Sequence, residues 1–517
     1  MQTYPARTSV ALTTAALGAM ALGLVLRDPT TMATGGALLV GLAIARLATQ
    51  LDVAGIRAAG FEMAWRGDER RATVARGEEL ELWAELRNRD GRAARFSSLR
   101  VTHAPELHVE LEPRAGEVPG GARLRVRLLV RGERVGRHGI HGLSLELEGA
   151  PGLFEVPLTF ANPFGVDVLP GPARELLRSA RGGRSRRTAV QGRPGQFAGE
   201  GDSLRELREH QPGDPFRRIA WKASARRAQL LVREYEREER DIVWILLDAS
   251  SELWAGEIGR APLDIAVDEA ATVALRHLRR GDYVGLAVVG ARTLAYIEPD
   301  SGAGHALKIT AALAHATGCL EAERSGLDEA DVAARVLEHL HPLDARVATS
   351  VRAHELDRVA RRAERVALAR APFRFVPVPA ATRRERALRG YLAAFGLGSP
   401  ARMEPERPRT DAELSRLLAR LGREKRHPSL VYLWSPAPDP ETRPQLERAL
   451  MTLPRRRFEL RWMSVPLDAG IAPGERAVEK VVAATVSLRA RAAVRRGEHA
   501  LRRLGVRQNG ARAHGRV

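Results

Sequence analysis

Two uncharged apolar runs near the N-terminus constrain the fold of this chain most, because their lengths are those of helices that span a lipid bilayer. The first run, Thr8 to Leu26, can cross a hydrocarbon core of roughly 30 Å at about 1.5 Å per helical residue. A polar turn separates it from a second run, Thr30 to Ala45, which extends to Leu51 if Arg46 snorkels toward the interface. The sequence therefore predicts a transmembrane helical hairpin within residues 1–57.

The basic residues around the hairpin predict its orientation. Arg7 precedes the first run, and Arg46, Arg57 and Arg66 follow the second. Under the positive-inside rule both ends of the hairpin then face the cytoplasm. A cleaved signal peptide is the alternative, but the first run is long for a signal core and another apolar run follows it directly.

Composition limits the classes of function. With 517 residues the chain is too long for one core, so two or three domains are expected. The net charge of +19 suggests an anionic partner, yet four of the 82 basic residues are lysine and the 78 arginines are spread along the chain. We therefore expect no specific nucleic acid, and keep a membrane-tethered nucleic-acid binder as an alternative. A single cysteine, Cys319, excludes an intramolecular disulfide and a cysteine-based zinc site.

Residues 60–170 alternate between apolar and polar side chains, the period of half-buried strands. The clearest runs are Leu80 to Leu86, Leu107 to Leu111, Leu124 to Val130 and Leu143 to Leu147. Turn residues separate them, which favours an antiparallel β-sandwich of the immunoglobulin-like type. An interaction module and a plain spacer both remain open for it. A predicted linker, residues 171–201, follows and carries a basic run over 181–187.

The next segment, Leu207 to Arg226, has an unusual order of residues: a Pro-Gly-Asp turn, then arginines, Trp221 and Lys222. We predict that Asp214 caps a helix in which Pro215 takes the first position, where its missing N–H costs nothing. Ile219 and Trp221 are natural core residues, so the segment is either a contact surface or a structural brace.

This segment resembles the bacterial "domain of unknown function 58" family. The matching residues are Leu207, Arg208, Glu209, Pro212, Gly213, Asp214, Arg218, Ile219, Trp221, Lys222, Ser224, Ala225 and Arg226. Two residues depart from the pattern: His210 stands where Tyr is usual, and Ala220 where Asp is usual. The predicted signature site is Arg208, Glu209, Pro212, Gly213, Asp214, Arg218, Trp221, Lys222, Ser224 and Arg226.

The resemblance implies a bacterial inner-membrane protein with its soluble domains in the cytoplasm. It also implies a von Willebrand factor A-like domain after the signature, and a MoxR-type AAA+ ATPase as partner. The pattern of residues agrees with such a domain. A buried strand, Ile242 to Leu247, is followed by a helix, Asp264 to Leu278, and a second strand, Tyr283 to Val289. This alternation predicts an α/β doubly wound sheet.

A metal site in a domain of this type uses Asp-x-Ser-x-Ser, since Mg²⁺ prefers carboxylate and hydroxyl oxygens. This chain has Asp248, Ser250 and Glu252 at those positions, so the third residue is longer and charged. The later strand expected to supply the remaining ligand is Leu430 to Ser435, and Asp439 follows it late. The sequence favours a degenerate metal site over a functional one, and no cofactor other than Mg²⁺ is considered.

The resemblance does not account for the region after residue 320. Helices are predicted at Asp328 to Leu340 and Ala353 to Ala369, a short strand at Phe373 to Val378, and the final strand at Phe458 to Val465. The resulting division is 1–57 hairpin, 60–170 sandwich, 171–240 linker and signature, 241–320 first half of the A-like domain, 321–426 helical insertion or extension, 427–470 remaining A-like strands, and 471–517 basic tail. The tail is either a helix on acidic lipid or a frayed terminus.

The sequence carries no nucleophile elbow, His-Glu-x-x-His or Walker loop, so no catalytic residues are predicted. The leading hypothesis is a non-enzymatic, membrane-anchored adaptor that binds partner proteins, with the AAA+ ATPase, in protein assembly or maturation. The alternative is a Mg²⁺-dependent protein-binding module that uses the altered Asp-x-Ser site.

Overall fold

The chain forms two compact units, each made of two separate segments. One unit contains Met1–Leu169 and Gly318–Arg402, and the other contains Pro170–Thr317 and Met403–Val517. The computed structural model describes residues 3–149, 152–173, 193–254, 256–344, 355–402, 407–424, 427–453, 458–465 and 477–509. The basic run at 181–187 and the last eight positions of the predicted tail, 510–517, lie outside the described residues.

The first unit begins with two helices that are long and apolar enough to cross a membrane, as predicted. Helix α1 spans Arg7–Leu26 and helix α2 spans Pro29–Ala59. The carboxylate of Asp28 caps α2 by accepting the backbone N–H of Thr30 at 3.0 Å. A Cβ at Gly35 would lie 2.6 Å from the Cγ of Met20, so small residues let the two helices approach closely.

Two sheets follow in the same unit, and their inner faces share one apolar core. The first sheet has the order β1-β10-β9-β5-β7, with β3 parallel to β10, and the second is antiparallel with the order β2-β4-β8-β6. Their strands are β1 Tyr4–Pro5, β2 Phe61–Trp65, β3 Arg71–Ala75, β4 Glu79–Asn88, β5 Ala94–His103, β6 Leu107–Glu112, β7 Gly116–Val118, β8 Arg123–Gly132, β9 Gly136–Glu148 and β10 Phe154–Leu169. The predicted alternation is confirmed in β8, where Val126, Leu128 and Val130 are fully buried.

Three helices of the late segment belong to this first unit. They are α6 Glu329–Leu343, α7 Leu356–Arg370 and α8 Arg383–Phe395. Helices are numbered in chain order, and those numbered 3 to 5 belong to the second unit, described below. The end of α8 contacts strand β9, since the N–H of Gly139 donates to the carbonyl of Gly396 at 3.1 Å. The predicted segment 321–426 is thus divided, because α9, Arg407–Leu421, lies in the second unit.

The predicted strand at Phe373 to Val378 is wrong. Its backbone N–H groups bond to the helix α8 region instead of to a neighbouring strand. The N–H of Phe373 donates to the carbonyl of Ala394 at 3.1 Å, and the N–H of Val378 donates to that of Arg386 at 3.2 Å. An apolar run of this length satisfies its backbone equally well against a helix end, and the pattern alone does not distinguish the two.

The second unit is built on a six-stranded mixed sheet with the order β15-β14-β13-β16-β17-β18. All neighbours are parallel except β14 and β15, so the predicted α/β alternation is confirmed as a mixed sheet. The strands are β13 Ile242–Asp248, β14 Tyr283–Val289, β15 Thr293–Asp300, β16 Leu430–Ser435, β17 Glu459–Ser464 and β18 Arg507–Asn509. The helices are α3 Trp221–Arg227, α4 Pro262–Arg279, α5 Ala303–Ala316, α9, α10 Pro444–Thr452 and α11 Ala477–Arg503. A separate two-stranded sheet pairs β11, Arg193–Glu209, with β12, Leu231–Glu239.

Two sequence predictions need correction in this unit. Strand β17 is not the last one, because Arg507–Asn509 adds one further parallel strand beside it. Three polar residues give no apolar run, so nothing in the pattern marked them as a strand. The last part of the predicted linker 171–201 is a β-strand and not a loop, since β11 begins at Arg193.

A pair of histidines links strand β9 to helix α6 in the first unit. The Nε2 of His339 lies 3.0 Å from the Nδ1 of His141, and the Nδ1 of His339 lies 2.9 Å from the hydroxyl of Tyr391. Burial, with added positive charge from His103 and Arg335, lowers the pKa of His141 to about 4. Burial, and then the charge of His141, lowers the pKa of His339 to about 3.

We expect acid to destabilise this unit through the pair. The folded pKa values lie below the unfolded value of about 6.5, so the unfolded chain binds more protons than the folded chain as the pH falls. The free energy of unfolding should therefore decrease by roughly 2 kcal/mol per histidine between neutral pH and about pH 5. Thermal unfolding of the full chain in detergent measures the effect. The double variant His141→Asn and His339→Gln should flatten the dependence, and the exposed His108→Gln should leave it unchanged. Equal acid sensitivity in all three proteins would contradict this assignment.

Candidate functional site

The carboxyl ends of β13 and β16 meet at one edge of the mixed sheet and place two buried polar side chains side by side. Asp248 ends β13 and Ser435 ends β16, and neither is exposed. The Ser435 hydroxyl donates to Asp248 Oδ2 at 2.7 Å, and the backbone N–H of Ser250 donates to Asp248 Oδ1 at 3.1 Å. Ligands of open α/β sheets bind at such an edge, so this is the candidate site in the second unit.

Arg407, from the start of α9, bridges two of the residues predicted from sequence. Its Nη1 donates to Asp248 Oδ2 at 2.5 Å, and its Nη2 and Nε donate to Glu252 Oε2 at 2.8 and 3.0 Å. The Arg407 side chain is 11% exposed and the Asp248 side chain is fully buried. A planar guanidinium suits this task, because its fixed donors reach two carboxylates at once.

A second arginine completes the buried network. Arg443 pairs with Asp411, with Nη2 2.5 Å and Nε 2.9 Å from Asp411 Oδ1, and both side chains are 3% exposed. Its Nη1 also donates to the Ser435 hydroxyl at 3.0 Å and to the carbonyl of Pro436 at 2.5 Å. The network therefore joins strand β16, helix α9 and the start of α10.

The charges keep Asp248 ionised. Burial alone would raise the pKa of its carboxyl group, but the positive charges of Arg407 and Arg443 outweigh burial and hold the pKa below the usual value. The Arg407 guanidinium has a raised pKa, since Asp248 and Glu252 together outweigh its own burial. Each buried charge thus has an opposite partner, the condition under which burial of an ion is tolerated.

This arrangement does not fit a Mg²⁺ ion. The oxygens of Asp248 and Glu252 that a metal would need are bonded to the Arg407 guanidinium, whose charge would also repel a second cation. The described residues contain no group of three or more His, Cys, Asp or Glu suited to hold a metal. Arg407, Arg443 and Asp411 were missed from sequence, because they lie far along the chain from Asp248 and no short motif contains them.

The signature residues form the connection between strands β11 and β12. Arg208 Nη1 and Nη2 donate to the two carboxylate oxygens of Asp214 at 2.8 and 2.7 Å. Asp214 also accepts the backbone N–H of Gln211, and the pKa of its carboxyl group falls to about 2, with the Arg208 hydrogen bond as the largest cause. Gly213 adopts φ 105°, a conformation that favours glycine. The Pro-Gly-Asp turn is therefore fixed by its own ion pair.

The predicted helix cap is wrong in its detail. Asp214 is engaged by Arg208 and does not cap a helix; a 3₁₀ turn, Phe216–Arg218, follows it, and α3 begins only at Trp221. Ile219 is buried and pairs with Val232 of β12.

Ser224 is also buried and holds α3 against the strand. Its hydroxyl accepts the N–H of Leu231 at 2.9 Å. The N–H of Ala220, where Asp is usual, donates to the carbonyl of Leu231 at 2.8 Å. Ile219, Ala220 and Ser224 therefore form the inner side of the segment.

Other signature residues face solvent. Trp221, a natural core residue by type, is 61% exposed; Phe216, which lies in the same segment but is not one of the predicted signature residues, is 74% exposed. The remaining exposed members are Glu209, Pro212, Gly213, Lys222 and Arg226, while Arg208, Asp214 and Arg218 are half-buried. On α3 the spacing places Lys222 and Arg226 one turn apart. We call Phe216, Trp221, Lys222 and Arg226 the signature patch.

Comparison with family models gives a match that begins at the signature segment. Residues 206–369 match the model described as "Protein of unknown function DUF58", which confirms the predicted assignment of this region to that family. A search of curated proteins gave no match.

Solved structures show only distant similarity. One is the PapD-like domain 7 of human CEP192, at 14% identity over 21% of this chain and 84% of that chain, with a TM-score of 0.17. The Vibrio cholerae VesB protease has 12% identity over 22% of this chain and 34% of its own, with a TM-score of 0.16. SSP-19 of Caenorhabditis elegans, an MSP-domain protein like family member, has 13% identity over 19% of this chain and 94% of its own chain, with a TM-score of 0.15. Scores this low carry no argument about function.

We expect the Arg443–Asp411 pair to stabilise the second unit. Arg443→Met leaves the buried Asp411 carboxylate without its partner, which costs roughly 3–5 kcal/mol. Thermal unfolding of the full chain in detergent, followed by tryptophan fluorescence, should show a midpoint lowered by about 10 °C. Arg260→Met, which removes an exposed pair with Glu257, is the matched control and should change stability by less than about 0.5 kcal/mol. Equal midpoints for the two variants would refute the role given to the network.

Proposed function

We propose that this protein is a non-enzymatic, membrane-anchored adaptor that binds partner proteins through the signature patch. The observation that carries the proposal is the exposure of Phe216 and Trp221, at 74% and 61%, on a segment whose backbone is held by buried contacts. Large exposed aromatic side chains cost solubility, and aromatic residues supply a large share of the energy at protein interfaces.

The patch is organised before any partner arrives. The Arg208–Asp214 pair fixes the turn, and the Ser224 hydroxyl fixes α3 against Leu231. A pre-ordered surface loses less conformational entropy on binding than a loop that must be ordered first. Lys222 and Arg226 beside the aromatic residues favour a partner with an apolar pocket that is bordered by acidic side chains.

The partner we propose is a MoxR-type AAA+ ATPase, as the family resemblance implies, in a system that assembles or matures other proteins. The mixed sheet of the second unit is consistent with a von Willebrand factor A-like domain, and the two packed sheets of the first unit with an immunoglobulin-like sandwich. Helices α1 and α2 would anchor both in a bacterial inner membrane, with both termini in the cytoplasm.

The sheet edge supports a non-enzymatic role. Asp248 and Glu252 are bonded to Arg407, and Asp411 is bonded to Arg443. The Asp248 carboxyl group, whose pKa the arginines hold below its usual value, makes a poor general acid or base at neutral pH. Its carboxylate is also fully buried. In this interpretation the edge stabilises the domain and the signature patch makes the contact.

Co-purification tests the proposal. The full-length protein, extracted in detergent from its native cells, should retain an AAA+ ATPase that is identified by mass spectrometry. The variants Phe216→Ala and Trp221→Ala should lose at least about ten-fold of the bound ATPase, since an aromatic hot spot contributes roughly 2 kcal/mol or more.

The controls separate the patch from exposed residues in general. Met451→Ala removes an apolar side chain that is 54% exposed in the same unit, and Arg260→Glu reverses an exposed charge. Both variants should retain the ATPase. Retention by Trp221→Ala and Phe216→Ala at the wild-type level, or no ATPase with the wild type, would refute the proposal.

A further inference from the structure

The edge of the mixed sheet holds a set of oxygen atoms that a divalent cation would use. Asp248 supplies a carboxylate, Ser250 and Ser435 supply hydroxyl groups, and Glu252 supplies a second carboxylate. These are hard oxygen donors of the kind that Mg²⁺ and Mn²⁺ prefer. Because the Asp248 side chain is fully buried, its carboxylate requires a positive charge beside it.

One of these oxygens makes no hydrogen bond of ordinary length. The Ser250 hydroxyl is fully buried in the Asp248-Ala-Ser250 turn, where its closeness to Asp248 helps to lower the pKa of that carboxyl group. Buried hydroxyl groups that lack a well-formed hydrogen bond are rare and call for a reason. A site whose oxygens are suited to a cation supplies that reason.

Arg407 lies between the two carboxylates of this set. Its guanidinium contacts Asp248 and Glu252 together, at 2.5 Å and 2.8 Å. A guanidinium directs its N–H groups to carboxylates, but it makes no bond to a hydroxyl such as that of Ser250 in this structure. A divalent metal ion binds carboxylate and hydroxyl oxygens alike. Arg407 therefore binds the carboxylates of Asp248 and Glu252 but not the hydroxyl group of Ser250.

We propose that the guanidinium of Arg407 is a built-in cation that fills a divalent-metal position at this sheet edge. The wild-type edge is then complete without a metal ion, and a protein contact made there is independent of Mg²⁺. Removal of the Arg407 side chain opens the position to a hard divalent cation. This inference does not depend on the signature patch or on the identity of the partner.

Manganese binding tests the proposal directly, because Mn²⁺ replaces Mg²⁺ at oxygen sites and is detected by electron paramagnetic resonance. The full-length wild-type protein in detergent should bind no Mn²⁺ at this edge. Arg407→Ala should bind one Mn²⁺ per chain at millimolar concentration or below, and should gain thermal stability from Mn²⁺. The double variant Asp248→Asn and Arg407→Ala should bind none. A folded Arg407→Ala protein that fails to bind Mn²⁺ would overturn the proposal.

Two further measurements do not require the alanine variant to fold. The wild-type unfolding midpoint should be the same in EDTA and in millimolar Mn²⁺; a rise with Mn²⁺ that disappears in Asp248→Asn would overturn the proposal. The pair Asp248→Asn and Arg407→Met should also be more stable than Arg407→Met alone, since Arg443, at 3.9 Å from Asp248, only partly compensates the buried carboxylate once Arg407 is lost. A double variant no more stable than Arg407→Met would show that Arg407 does not act as the counter-charge of Asp248.

Discussion

Burial of the Asp248 carboxylate at the end of a central strand is the constraint on which the rest of the second unit depends. A charge with no exposure is tolerated only with a fixed counter-charge, and here the chain supplies two, from helix α9 and from the start of α10. Because Arg407 and Arg443 follow Asp248 by more than 150 positions, the electrostatic requirement joins the first strand of the sheet to the late part of the chain. The ion pairs therefore fix the position of α9 as well as satisfying a charge.

The signature segment is also held in place by paired polar groups, but it needs fewer of them than the sheet edge. Its turn is held by one ion pair, Arg208 with Asp214, and its helix by one hydroxyl, that of Ser224, so that few buried groups suffice to order a short segment. The four side chains of the signature patch take no part in this bracing and are exposed to solvent. Structure and surface are thus divided between residues of one motif: Ile219 and Ser224 inward, Phe216 and Trp221 outward.

Local patterns predicted much of this molecule, and non-local contacts account for what they missed. The apolar runs indicated α1 and α2, period-two alternation indicated β8, and the run before Asp248 indicated β13, since each depends only on neighbouring residues. Trp221 was assigned by type to a core, but burial depends on what packs against a residue. Strand β18 has no apolar side chains to mark it, and Arg407 gives no sign in the sequence that it pairs with Asp248.

The order in which the chain is synthesised has a consequence for the first unit. Its sheets are complete in sequence at Leu169, but helices α6 to α8 follow only after residues 170–317 have been made. Until then Gly139 lacks the carbonyl of Gly396, and Ala161 lacks the apolar helical cluster that packs beside it. The two sheets thus leave the ribosome with one apolar region uncovered, and unfinished surfaces of this kind are where folding chains associate wrongly. The membrane anchoring that we propose for α1 and α2 would keep such intermediates apart in the plane of the bilayer.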